Sequence, residues 1–147
     1  YHFVIVGEMF AFARLLQPLM IILGVLLYVV ALRLRFWGEL CLGSQWSIHA
    51  MGVQKIKRVR ISRVGPYRYI RHPIYLGIIV ESVGVPMICG AYFSVIGGFL
   101  IFAPIMFLRA LMEEKSAVRR FGQEAYAKYK KETNMFIPLG LFKGVKK

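Results

Sequence analysis

The amino-acid sequence predicts an all-α integral membrane protein, a small bundle of about three to four transmembrane helices that includes a helical hairpin. Three observations predict it. Hydrophobic residues make up 58% of the 147-residue chain, above the roughly 45–50% apolar content of soluble domains. Apolar runs of spanning length occupy residues 15–34 and, with interruptions, 74–112. Basic residues gather at or beyond the ends of these runs. A chain of this length holds one domain with a few spans and little else, so 1–147 is expected to be a single membrane domain.

The elements follow in order. Residues 1–35 are expected to supply N-terminal membrane helices. Their first apolar run, 3–13, is too short to span a bilayer, and with a chain that opens at Tyr1 it is expected to be the remainder of a truncated helix. It lacks the basic start and small-residue cleavage pattern of a signal peptide. Residues 15–34 read as a spanning helix with Pro18 tolerated near its start, and Arg33 and Arg35 place its far end on the cytoplasmic side. Residues 36–72 are amphipathic and basic, with Trp37, Trp46 and Tyr67 suited to the headgroup zone, and are expected to lie along the surface. The run 74–112 is too long for one helix. Gly84, Pro86 and Gly90 break it into Pro73–Cys89 and 92–112, a hairpin over 73–112 in which Gly97 and Gly98 allow close helix packing. Residues 113–131 are rich in helix formers and predict an amphipathic helix over the membrane face, ending before Pro138, within a cytoplasmic tail 113–147. The hairpin returns the chain to the side it left, so both basic segments share one side.

Charge excludes one class of partner. Lys plus Arg number 20 against 7 acidic residues, all Glu, for a net charge of +13. In a soluble protein such a balance points to nucleic acid. Here Lys55, Lys57, Arg58, Arg60, Arg63, Arg68 and Arg71 lie between apolar regions and most other basic residues follow Glu114. That is the pattern of cytoplasmic loops, which also attract anionic headgroups. Membrane lipids, and no nucleic acid, are the expected partners. Cys41 and Cys89 fall in no metal or redox spacing and there are three histidines, so no metal site is expected.

Ionisable residues at the rim of an apolar zone are costly, which makes Arg71, His72, Arg109, Glu113 and Glu114 functional candidates. Arg and Glu at helix ends also serve as interfacial anchors and macrodipole partners, and for any one residue both readings stand. Their conjunction favours a site. An Arg, a His and a carboxylate pair suit a zwitterionic ligand, because Glu accepts from an ammonium group while Arg clamps a carboxylate. S-adenosylmethionine carries both groups. Glu81, in the middle of the first hairpin segment, needs either a place in an acceptor pocket or a partner within the bundle. His2 and His49 read as interfacial or incidental.

The order Gly65-x-Tyr67, His72-Pro73-x-Tyr75, hydrophobic hairpin, Arg109-x-x-x-Glu113-Glu114, Phe121-Gly122 and Tyr126-x-x-Tyr129 resembles the isoprenylcysteine carboxyl methyltransferases and related phospholipid and bacterial lipid methyltransferases. Leu34-Arg35-Phe36-Trp37 and Leu42-Gly43-Ser44-Gln45-Trp46 are similar to the bacterial branch. Met135 departs from relatives that carry Arg there, which removes one contact to a carboxylate. The resemblance implies a cytoplasmic S-adenosyl-L-methionine site built from the basic loop and the C-terminal helix. Its implied cofactor-binding residues are Val59, Arg60, Ile61, Ser62, Tyr67, His72, Pro73, Ile74, Tyr75 and Glu113, with Glu114 supporting from behind. Arg109 is implied to orient the methyl acceptor.

That acceptor is expected to be lipid-linked, a prenylcysteine carboxylate or similar, reached from the bilayer. A phospholipid amine or a lipid phenol is the alternative, and would lose its proton to His72 or Glu81. Methyl transfer from a sulfonium is an in-line displacement that needs alignment and dryness, and no metal. A sterol-reductase-like NADPH enzyme and a non-catalytic membrane adaptor are the readings from other classes. The expected membrane is the bacterial inner membrane, or the endoplasmic reticulum in a eukaryote.

Overall fold

The computed structural model of the protein describes residues 17–43 and 61–137, and structural statements refer to these. They form helix α1 (Gln17–Leu42), a 3-10 turn (Gly65–Arg68), α2 (Pro73–Cys89), α3 (Tyr92–Phe121) and α4 (Gln123–Glu132). Among the described residues there is no strand, only a single parallel bridge between Ile70 and Asn134. The all-helical class is as the sequence predicts. Two helices, α1 and α3, are long and apolar enough to cross a membrane, while α2 is apolar but shorter. Their outward faces carry Leu19, Ile22 and Leu26 on α1 and Phe93, Ile96, Leu100 and Leu108 on α3, all exposed. Such faces suit lipid better than water.

Helix α2 is the central element, packed against α1 on one side and α3 on the other. The α1–α2 seam is made of small residues. A Cβ on Gly24 would stand 2.8 Å from the Ile88 backbone nitrogen and 2.9 Å from the Gly84 carbonyl oxygen, and one on Gly77 would meet the Arg35 side chain at 2.6 Å. Ala31 between them is fully buried. Helix association in lipid has no hydrophobic drive and depends on close backbone approach, which only such residues permit. Gly97 does not serve this purpose, since a Cβ there would meet nothing within 4 Å.

Two boundaries differ from those expected, while α2 keeps the expected Pro73–Cys89. First, α1 does not stop at Leu34 but runs through Arg33 and Arg35 to Leu42, so 36–42 is helix and not surface segment. The charge rule locates a membrane edge, whereas a helix ends where the backbone is broken, here at Gly43. Second, Glu113 and Glu114 belong to α3, which continues past Met112 to Phe121. The break after α2 falls where expected, made at Gly90 alone, since the helix passes through Gly84 and Pro86. The helix expected over 113–131 is divided at Gly122, whose φ of +87° ends α3 and starts α4.

Candidate active site

Beyond the polar end of the hairpin lies a half-open cleft. Leu42 closes it from α1, Ile61, Ser62 and Tyr67 from the loop, His72 to Tyr75 from the start of α2, and Glu113, Ala117 and Phe121 from α3. Tyr126 and Tyr129 form the α4 wall. Each element reaches the cleft for a local reason. Gly65, at φ +58°, turns the loop against α1, where a Cβ would strike Cys41 Sγ at 2.5 Å and Trp37 Nε1 at 2.7 Å. Ser62 Oγ donates to the Cys41 carbonyl at 3.4 Å. Pro73 opens α2, a position where its missing N–H costs nothing.

The loop and α4 are joined by buried tyrosines. Tyr129 Oη donates to the Tyr67 carbonyl at 2.8 Å. Burial pushes the Tyr129 phenol up to about 12 despite the opposing pull of Arg71 and Arg63. Burial, then the neighbouring Tyr129, raises the Tyr67 phenol well above its usual range, and burial does the same at Tyr126. All three are neutral hydroxyls at physiological pH.

Adjacent glutamates on α3 point about 100° apart, and the two do different work. Glu113 faces the cleft and accepts a hydrogen bond from Tyr75 Oη. Its other oxygen lies 3.8 Å from His72 Nδ1. The His72 ring stacks on Tyr75 at 5.5 Å and 2°, and its buried Nε2 lies 3.6 Å from Glu114 Oε1. Arg109, one turn before Glu113, donates from Nε to Tyr75 Oη at 3.0 Å.

Glu114, only 4% exposed, turns instead to a charged clasp. Arg71 Nε donates to it at 2.6 Å, and the Lys130 ammonium lies 2.6 Å from its other oxygen. Arg71 also donates to the Thr133 carbonyl. Buried charges persist only when paired in this way. The segment after α4 then runs beside the motif loop: Arg71 N–H donates to Asn134 at 2.8 Å, His72 N–H to Met135 at 3.1 Å, and Asn134 N–H to Tyr69 at 3.2 Å. Phe136 packs at 6.1 Å from the His72 ring.

Of the residues the sequence singles out, Ile61, Ser62, Tyr67, His72, Pro73, Ile74, Tyr75 and Glu113 line the cleft together. Glu114 lies behind that lining, and Arg109 stands at its rim with its side chain 57% exposed. Val59 and Arg60 lie outside the described residues, as do His2, Ser44, Gln45, Trp46, His49 and Pro138. Glu81 pairs with Arg35 on the face of α2 that meets α1, whereas Tyr75 faces α3. Sequence reasoning did not single out Lys130, Thr133 or Ala117, and it had Phe121 only as a motif residue. A helical stripe could have found Ala117, because Glu113, Ala117 and Phe121 follow one face. Among the described residues no group of three His, Cys or Glu could hold a metal.

The family model of the isoprenylcysteine carboxyl methyltransferase (ICMT) family matches residues 21–119. Methanethiol S-methyltransferase 1 of Bradyrhizobium diazoefficiens is 36% identical over 76 residues, 49% of this chain and 24% of that protein. Protein-S-isoprenylcysteine O-methyltransferase of Schizosaccharomyces pombe is 29% identical over 113 residues, 69% of this chain and 48% of that one. The uncharacterized protein YpbQ of Bacillus subtilis is 26% identical over 101 residues, 68% and 58% of the two chains. The chain thus spans from a quarter to little over half the length of these relatives. No solved structure matches it. The matched stretch runs from α1 to the last turns of α3 and takes in His72-Pro73, Tyr75, Arg109 and both glutamates of the cleft and clasp, and the chain belongs to the isoprenylcysteine carboxyl methyltransferase (ICMT) family.

Proposed function

We propose that the protein is a membrane methyltransferase that uses S-adenosyl-L-methionine, a single domain with its cleft on the cytoplasmic face, and that it methylates a lipid-linked acceptor such as a prenylcysteine carboxylate. The observation that carries this reading is the placement of a carboxylate for a cation, Glu113, one helical turn from a guanidinium for an anion, Arg109, with Tyr75 bonded to both. The cleft's chemistry fits the cofactor. Glu113 can accept from its ammonium, and Tyr67, Phe121, Tyr126 and Tyr129 offer an aromatic wall to a purine. When bound, the cofactor supplies a methyl group already activated as a sulfonium.

The chain's own residues then have three tasks. Glu113 holds the ammonium by a charge-assisted hydrogen bond. The aromatic wall excludes water. Arg109 orients the acceptor carboxylate, whose ionised oxygen carries no proton to be removed, so no side chain is required as a base. A thiol acceptor is the second reading, favoured by the identity shared with methanethiol S-methyltransferase 1. A thiol, like an amine or a phenol, must give up a proton, and His72 and Glu113 are the groups at hand. The family match favours either reading over a sterol-reductase-like NADPH enzyme or a non-catalytic adaptor.

Calorimetry of S-adenosylmethionine binding to detergent-purified protein tests the proposal, with NADPH as control. Saturable binding that is weakened in Glu113→Gln, with unfolding unchanged, is the expected result. No binding by folded wild type would remove the methyltransferase reading, and binding of NADPH would replace it with the reductase.

A further inference from the structure

We infer that Tyr75 is a positioning residue that couples the two halves of the site: its hydroxyl anchors Arg109 through Nε and so leaves the forked end of the guanidinium for the acceptor. This rests on the methyltransferase reading above.

Arg109 stands on a difficult surface. Its side chain is 57% exposed, and Leu108 and Met112 beside it are exposed apolar residues. A long side chain on such a rim loses rotamer entropy when fixed in one direction and needs an anchor. Tyr75 provides two. Arg109 Nε donates to Tyr75 Oη at 3.0 Å, and the guanidinium carbon lies 5.8 Å from the centre of the Tyr75 ring. Glu113 adds charge at 3.9 Å. Because Nε is engaged, the four N–H bonds on the terminal nitrogens remain, and these form the fork that matches the two oxygens of a carboxylate.

The hydroxyl of Tyr75 has one proton to donate, and Glu113 accepts it. The ring of Tyr75 therefore lines the cleft while its hydroxyl is committed to a relay from Arg109 to Glu113. Glu113 meets Tyr75 with one oxygen and turns the other towards His72 Nδ1. A cation bound at that second oxygen weakens the carboxylate's hold on Tyr75 and Arg109, and more of the guanidinium charge becomes available to an acceptor anion. Cofactor and acceptor then bind with positive coupling, which is reciprocal by linkage.

Tyr75→Phe isolates the hydroxyl, since it keeps the ring against His72 and under the guanidinium. The probes are S-farnesylcysteine as acceptor and S-adenosylhomocysteine as the binding ligand, with the full chain in detergent. The variant is expected to raise the KM for S-farnesylcysteine about tenfold while kcat and S-adenosylhomocysteine affinity change by less than about threefold. The tightening of S-adenosylhomocysteine by S-farnesylcysteine, expected in wild type, is lost. An unchanged acceptor KM overturns the inference. So does an equal loss of S-adenosylhomocysteine affinity, which would make the hydroxyl a cofactor contact.

A second readout needs no acceptor. The Nε–H resonance of Arg109 in a nitrogen-15 spectrum, assigned by its loss in Arg109→Lys, should be protected from exchange in wild type and unprotected in Tyr75→Phe. Equal protection in both overturns the inference. Failure of wild type to bind S-adenosylhomocysteine sinks the underlying reading instead, and binding without turnover of S-farnesylcysteine sinks only the choice of acceptor.

Discussion

The α1–α2 seam and the Glu114 clasp hold the molecule by opposite means. In the seam, Gly24, Ala31 and Gly84 bring backbones together, and Gly77 makes room for the Arg35 side chain. In the clasp, long charged side chains from the motif loop and α4 converge on one buried carboxylate of α3. The first suits a lipid solvent, where the apolar surface of a helix gains nothing by leaving its surroundings and only close contact adds attraction. The second works at the end of the helices, where charge can be gathered and then shielded. A seam tolerates no addition, whereas a clasp tolerates no removal.

The largest expected effect follows from removal. Glu114→Ala leaves the Arg71 side chain, 8% exposed, without a counter-ion, and stability measured by denaturant in detergent is expected to fall by about 3–5 kcal/mol. Glu113→Gln, one residue away, is expected to leave unfolding unchanged, because Glu113 faces the cleft and not the clasp. Equal destabilisation by both would erase the division of labour between the two glutamates.

Addition should break the seam. Gly24→Ala places a Cβ against the Ile88 nitrogen and the Gly84 carbonyl, backbone atoms that cannot step aside, and is expected to cost about 1–3 kcal/mol. The same change at Gly97 meets open space and is expected to stabilise α3 by up to about 1 kcal/mol through helix propensity alone. Opposite signs at the two glycines would confirm that packing and not composition decides.

A smaller effect sharpens the comparison at the polar end. Tyr129→Phe removes the bond to the Tyr67 carbonyl and is expected to cost about 1 kcal/mol near neutral pH. Burial lifts the Tyr129 phenol from 10.0 to about 12, so above pH 10 the unfolded chain loses a proton that the folded one keeps. Its contribution is complete below pH 10 and fades as pH rises towards about 12. Unfolding followed across that window should show a weaker pH dependence in the variant than in wild type.

Much of this site was legible in the linear order of residues. His72-Pro73-x-Tyr75 ahead of an apolar run and Arg109 one turn before Glu113 identified the cleft-forming ends of α2 and α3. Gly90 gave the hairpin. The division between Glu113 and Glu114 came only with the resemblance, because neighbouring carboxylates look alike until the helix they share is known to run on to Phe121. Of the adjacent pair Gly97-Gly98, Gly98 is buried and Gly97 meets open space, while the glycines of the α1–α2 seam are spread along the two helices, where no pair stands together. Lys130 was one basic residue among many, and nothing local distinguishes a lysine that meets a buried carboxylate from one that meets water.

Composition and periodicity by themselves determined the helical class and the hairpin, because apolar length, glycine punctuation and charge placement are local properties read residue by residue. Only the tertiary structure decided which carboxylate faces the cleft, that Glu81 belongs to Arg35, and that residues 133–136 return to lie beside the motif loop. Those outcomes depend on which distant segments meet, and partners for a buried charge are chosen by proximity in space, which spacing along the chain does not encode.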